Sequence, residues 1–196
     1  MVDTERRIVE NLAGAKVVQE HRDTRFSVVD FLSAELETLE LLAAFVRRLK
    51  PKIAIECGTY HGIASCYIGD ALKQNGSGHL WSIECDEERA VVSREAIRRM
   101  DLESVVTVVL GKSVIADVPE GPYDFVFHDG DRDSDLGPEL ERFSGNLSHG
   151  GMSFVHDTSI DGYQHVDPMC RDFVFKNRLN YCNISSSRGL GILQKP

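Results

Sequence analysis

Residues 52–65, Lys-Ile-Ala-Ile-Glu-Cys-Gly-Thr-Tyr-His-Gly-Ile-Ala-Ser, constrain this chain more than any other stretch. A short apolar run closes on a carboxylate, Glu56, and meets Gly58. A second glycine, Gly62, follows four residues on, and helical periodicity starts there. Such runs closed by glycine read as buried parallel strands. A strand, a tight glycine turn and a helix together form a small-molecule site, because backbone approaches a ligand only where no Cβ intervenes. The spacing then narrows the ligand. A dinucleotide turn reads G-x-G-x-x-G, and here Tyr60 stands where its second glycine belongs. No G-x-x-x-x-G-K-[ST] occurs, which excludes a P-loop. Glu56 beside the turn suits a cationic amino-acid ligand better than a phosphate. Taken alone, the same residues also describe an ordinary strand-to-helix turn.

The pattern E-x-G-x-x-x-G resembles the first motif of class I S-adenosylmethionine-dependent methyltransferases. A second short strand, His79-Leu80-Trp81-Ser82-Ile83-Glu84, also ends in an acid, with Asp86 just beyond. An acid at that point is placed to accept hydrogen bonds from ribose hydroxyls, in a dinucleotide or in S-adenosylmethionine alike. Of the two acids, Asp86 suits the cap of the helix that starts near Glu87, and Glu84 the ribose.

The 196 residues suffice for one domain with a substantial core. No internal repeat or low-complexity tract is present. No apolar run approaches a membrane span and the N-terminal segment lacks a signal-peptide core, so a cytoplasmic protein without a membrane partner is expected. Five cysteines, odd in number and without C-x-x-C spacing, argue against a disulfide framework and a zinc site. A net charge of −9 counts against nucleic acid as substrate. The basic cluster Arg94, Arg98 and Arg99 reads as the solvated face of a helix.

Along the chain, helical patterns over residues 3–13 and 33–49 precede an alternation. It runs strand 52–57, helix 62–73, strand 79–85, helix 87–100, strand 104–110, strand 123–129, helix 135–147, strand 151–157 and helix 167–179. Short strands near 181–186 and 189–194 close the chain. The alternation predicts an α/β fold with a doubly wound, mostly parallel sheet. The closing pair lacks room for a crossover and should be antiparallel. This matches the seven-stranded, Rossmann-like methyltransferase fold with its antiparallel last strand. The resemblance covers roughly residues 50–196. The expected organisation is a single domain over 1–196, with 1–50 as an N-terminal helical cap and 51–196 as the cofactor-binding core.

Ligands in open α/β sheets bind at the carboxyl ends of the strands. After the third strand comes Gly111-Lys112-Ser113, where the family contacts adenine; Ser113 reads equally as a turn serine. The fourth and fifth strand ends, Tyr-Asp-Phe-Val-Phe-His-Asp-Gly-Asp and Gly-Gly-Met-Ser-Phe-Val-His-Asp-Thr, resemble the small-molecule O-methyltransferase branch, which includes catechol-type and natural-product sugar methyltransferases. Gly150-Gly151 reads as a turn before the fifth strand.

The resemblance implies S-adenosylmethionine bound by Glu56, Gly58, Tyr60, Gly62, Glu84, Ser113 and Asp129. It also implies a divalent cation, magnesium or another, held by Asp129 and Asp157 with Thr158 as third ligand. Magnesium favours hard oxygen donors and keeps open positions for substrate oxygens. Related enzymes often carry a histidine or lysine base three residues beyond the fourth-strand acid, where this chain has Arg132. A guanidinium holds an anion but does not abstract a proton at neutral pH. The remaining bases are His156, His165, His61 and Asp131, with His156 favoured by position. The expected partner is a small hydroxyl-bearing molecule, and a homodimer is compatible with the reading. Two other readings stay open: an aminopropyltransferase on the same sheet, and a non-catalytic nucleoside-binding sensor or assembly protein.

Overall fold

The computed structural model describes residues 16–30, 32–185 and 187–196. The helix expected over residues 3–13 lies outside them. Residues 16–30 carry a hairpin of two-residue strands, β1 (Val18–Gln19) paired antiparallel with β2 (Ser27–Val28). Glu20 holds its turn by accepting the backbone N–H groups of Arg22 and Asp23.

The apolar runs then pair into one sheet. Its strands are β3 (Ile53–Cys57), β4 (His79–Glu84), β5 (Val106–Leu110), β6 (Tyr123–His128), β7 (Leu147–His156), β8 (Asn180–Ile184) and β9 (Leu190–Gln194). Their order is β5-β4-β3-β6-β7-β9-β8. The first five strands run parallel, and β9 inserts antiparallel between β7 and β8. Strand order reverses at β3, which pairs with β4 on one side and β6 on the other, so a topological switch point opens at its carboxyl end.

Period-2 alternation distributes the two faces. Phe125, Phe127 and Phe154 join the cluster under α1 (Leu36–Leu49), α2 (Ile63–Asn75) and α3 (Glu87–Arg99). Val155 and Leu193 pack on the opposite face against α4 (Leu136–Arg142) and α5 (Val166–Asn177). Phe154 lies 5.0 Å from the rings of both Phe45 and Phe125, centroid to centroid, in tilted contacts that seat α1 on the centre of the sheet. The buried face of α1 is apolar: Leu36, Leu39, Leu42, Ala43 and Val46.

Two boundaries differ from the sequence reading. The helix expected over 135–147 stops at Arg142 and gives way to a 3-10 turn, Ser144–Asn146, because Ser144-Gly145 are weak helix formers. Gly150-Gly151 is not a turn before the fifth strand but lies inside β7, where the pairing with β6 shifts register between Tyr123 and Phe125. A Cβ at Gly151 would stand 2.8 Å from the Tyr123 carbonyl, so the irregularity needs glycine there. No described helix is long and apolar enough to cross a membrane.

Candidate active site

The β3–α2 turn is built around a close backbone approach. Gly58 has φ +92°, and a Cβ there would lie 2.4 Å from the carbonyl oxygen of Asp129. Its carbonyl neighbour Cys57 accepts the Asp129 N–H at 2.8 Å, which ties the end of β3 to the end of β6. Gly62, at φ +82°, starts α2 without a side-chain cap. Between them Tyr60 takes φ +49°, a conformation rare outside glycine and held here because its N–H donates to Glu84 Oε2 at 2.7 Å. The Tyr60 ring is sandwiched by His61, 3.7 Å away, and the Arg89 guanidinium, 5.2 Å away.

Glu84 ends β4 almost fully buried and also accepts the Asp86 N–H at 3.0 Å. Asp86 caps α3 by accepting from Arg89 N, as the sequence suggests, and Glu84 lines the cavity described next. Gly58, Tyr60, Glu84 and Ser113 line a cavity of about 420 Å³. Asp129, Arg132, Asp157 and Arg188 line the same cavity. A single space therefore runs across the ends of the central strands, as the switch point requires.

Glu56 is not on that wall. Its carboxyl is wholly buried behind the turn, accepting from Ser82 Oγ at 2.5 Å and from Ser65, while Oε1 has no hydrogen-bond partner among the described residues. Burial, outweighing those hydroxyl donors and reinforced by Asp129 and Glu84, pushes its pKa up to about 8. Glu56 thus shapes the turn from behind. Ser113 does reach the cavity, but its hydroxyl donates to Glu139, a second buried acid lining the space. Glu139 also pairs with His128 at 3.0 Å, and His128 continues to Ser144 at 2.9 Å and on to Ser153. His128 and Ser113 hold Glu139 below the usual carboxylate range despite its burial.

The ends of β6 and β7 bring Asp129 and Asp157 together as expected, but with company. Strand β7 ends at His156, and Asp157 turns to φ +65°, so its carboxylate swings alongside the imidazole of its neighbour, 3.5 Å from Nδ1. Arg132 Nη2 bridges the two acids, 2.5 Å from Asp129 Oδ1 and 3.2 Å from Asp157 Oδ2. Arg188, from the β8–β9 turn, clamps Asp157 bidentately at 2.7 and 3.1 Å. His156 is fully buried, with Nδ1 3.0 Å from Asp129 and Nε2 2.9 Å from Glu35. Burial alone would lower this imidazole, yet Asp129 and Asp157 hold it up at about 9. Glu35, buried but bonded by His156 and Ser187, is held well below the carboxylate range. Burial opposes the Asp157 charge, but His156, Arg132 and Arg188 keep its pKa low. Three carboxylates face three cations, a neutral set.

That geometry corrects two expectations. His156 does not fit a general base: it is protonated below about pH 9, both nitrogens face carboxylates, and the ring has no exposed surface. Thr158 does not face the acids as a third ligand, since its hydroxyl donates to Asn183 Oδ1 at 2.8 Å. Arg132 is where the sequence reading put it, on the cavity wall, and it touches both acids. Sequence reasoning missed Glu35, Glu139 and Arg188. Arg188 lies in Ser-Arg-Gly between two short strands, a composition that reads as a solvated hairpin turn. Only its position opposite Asp157 in the folded chain buries it.

A methyltransferase domain family matches residues 55–158. A catechol O-methyltransferase from Niastella koreensis is 31% identical over 129 residues, covering 62% of this chain and 54% of its own length. The match thus spans about half of that curated relative. Among solved structures, an O-methyltransferase from Bacillus cereus in complex with SAH superposes with a TM-score of 0.76 at 17% identity, over 98% of this chain and 90% of the other. The O-methyltransferase TomG from Streptomyces achromogenes, involved in tomaymycin synthesis and solved with SAM, gives 0.72 at 18% identity over the whole of both chains.

Proposed function

Since this chain belongs to the methyltransferase domain family, matched over residues 55–158, we propose that it transfers a methyl group from S-adenosylmethionine to an oxygen of a small molecule. One observation carries the reading. The cavity joins the Gly58–Tyr60 turn and Glu84, features suited to an amino-acid nucleoside, to a charged floor of Asp129, Arg132, Asp157 and Arg188. The kinship with a catechol O-methyltransferase and with O-methyltransferases solved with SAH or SAM supports the same choice.

The residues present fit the cofactor. Glu84 spends its oxygens on two backbone N–H groups and retains lone pairs for ribose hydroxyls. Gly58 keeps the turn flush against the end of β6, and Tyr60 lines the cavity beside it. When bound, the cofactor supplies an electrophilic methyl on a sulfonium. The work of the chain is to hold the acceptor oxygen in line with that methyl and to exclude water. The acids at Asp129 and Asp157 attract the positive sulfonium, and the arginines moderate their charge.

A divalent cation does not fit this donor set. An ion shared by Asp129 and Asp157 would take the position of the Arg132 Nη2 nitrogen, and it would lie among two guanidiniums and an imidazolium. At 4 Å and an effective dielectric constant of about 20, a doubly charged ion meets roughly 8 kcal/mol of repulsion from each cation, which offsets the attraction of the carboxylates and leaves nothing to repay its dehydration. No step is therefore assigned to a metal.

The reading is tested by incubating the protein with S-adenosylmethionine and a panel of phenols, catechols and sugar alcohols, and following methylated product and S-adenosylhomocysteine by mass spectrometry. Product from any oxygen acceptor supports it. Binding of S-adenosylhomocysteine with no transfer to any acceptor points to the sensor reading, and transfer of an aminopropyl group to the aminopropyltransferase.

A further inference from the structure

We propose that the Arg132–Arg188 pair takes the place of a divalent cation, and that the acceptor is a phenol-class hydroxyl bound as its oxyanion against these two guanidiniums. This rests on the methyltransferase reading above and names the acceptor chemistry of the same site. The geometry is specific. The Nη2 groups of both arginines meet on one oxygen, Asp157 Oδ2, at 3.2 and 3.1 Å, so the two planes converge at the cavity floor. Arg132 further donates to the His156 and Gly130 carbonyls, and Arg188 to the Ser33 carbonyl. These bonds fix both side chains against the backbone, with Arg132 3% and Arg188 8% exposed.

A guanidinium carries five N–H donors. Arg132 spends four of these and keeps one on Nη1, Arg188 spends three and keeps two, with no acceptor for them among the described residues, and both residues line the cavity. Those groups offer a fixed pair of donors with formal positive charge, the chemistry that stabilises an oxyanion. A metal would perform the same task by polarising the hydroxyl. Here the charge is built into the chain and needs no loading. Tyr163 and Ile160, on the loop after β7, line the same cavity and give an aromatic acceptor an apolar and aromatic wall.

The balance of the step is simple. The acceptor loses its proton to solvent on binding, its oxygen donates an electron pair to form the new oxygen–methyl bond, and the sulfur keeps the pair of the broken sulfur–methyl bond. No base within the chain is needed, which accounts for an arginine standing where a base is usual. His156 acts only as a positioning residue, pinning Asp129 and Glu35 in place.

The test uses the full chain loaded with S-adenosylhomocysteine, with loading confirmed by calorimetry, and two probes. The first is Mn²⁺ alone, followed by electron paramagnetic resonance. The inference predicts no saturable uptake up to about millimolar ion. Saturable uptake that Asp157→Asn abolishes would overturn it. The second is 4-nitrocatechol, whose ionised form is coloured, titrated between pH 4 and 8 with chelator present. Binding should raise its ionisation constant about tenfold or more, and Arg188→Gln should remove that shift, while Arg188→Lys should retain part of it. An unshifted titration in the wild-type protein would overturn the inference even if the variants fail to fold. Failure to bind S-adenosylhomocysteine would instead remove the methyltransferase reading, and this inference with it.

Discussion

Gly58→Ala probes the join between fold and site. The new methyl would stand 2.4 Å from the Asp129 carbonyl oxygen, 2.6 Å from its carbon and 2.7 Å from Gly130 N, all backbone atoms with no rotamer to escape through. Restoring an ordinary contact of 3.4 Å requires the end of β6 to retreat by roughly 1 Å. Alanine at φ +92° adds about 1–3 kcal/mol of backbone strain. Strain and displacement together come to about 3 kcal/mol or more, which for a domain of this size lowers Tm by roughly 6–12 °C. The retreat also drags Asp129 and the cavity floor, so affinity for S-adenosylhomocysteine should fall at least about tenfold. Differential scanning calorimetry and isothermal titration read the two effects separately. A variant with Tm within about 2 °C of wild type and unchanged affinity would refute the argument that this glycine sets the distance between β3 and β6.

Three further outcomes are expected. Glu84→Ala should weaken S-adenosylhomocysteine binding by about 1–3 kcal/mol through lost charge-assisted bonds, and unchanged calorimetric affinity would remove Glu84 from the ribose role. Stability should depend on pH from both sides. Glu56 and His156 have pKa values raised from 4.5 to about 8 and from 6.5 to about 9, so their contributions are full below the lower value and lost as pH rises through the higher. Glu35, Asp157 and Glu139 are depressed, so their contributions are lost as pH falls below the ordinary carboxylate range. Tm should therefore peak near about pH 5, where the depressed acids are ionised and the loss at Glu56 has only begun, and a maximum above pH 8 would contradict the assignment. Glu56→Gln, neutral at every pH, should flatten the fall between about pH 4.5 and 8 while leaving cofactor affinity within about threefold, measured by thermal melts and titration. A variant as steep as wild type would show that Glu56 is ionised in the native protein.

The sheet was legible because its signals are local. Apolar runs bounded by glycine, Asp86 ahead of α3 and the short closing pair each carry a physical meaning within a few residues. The turn from Gly58 to Gly62 and the acid at Glu84 belong to the same class, since strand ends converge in any open parallel sheet. The charged floor did not yield in the same way. Asp129 and Asp157 were visible as strand-end acids, but the guanidinium that clamps Asp157 lies 31 residues downstream at Arg188, and Glu35, the acid that holds the His156 imidazolium beside them, lies 121 residues before that histidine. A buried guanidinium in a Ser-Arg-Gly turn has no periodic signature. Neighbouring strand residues point to opposite faces, yet the positive φ of Asp157 ends the strand and returns its carboxylate to the side of His156.

The most direct measurement is calorimetric titration of the purified chain with S-adenosylhomocysteine, with NAD as control and chelator in both cells. Micromolar binding of the sulfur nucleoside, unchanged by chelator and absent for NAD, is the predicted result. Binding of NAD instead, or of neither, would contradict the reading of the Gly58–Glu84 cavity as a methyl-donor site.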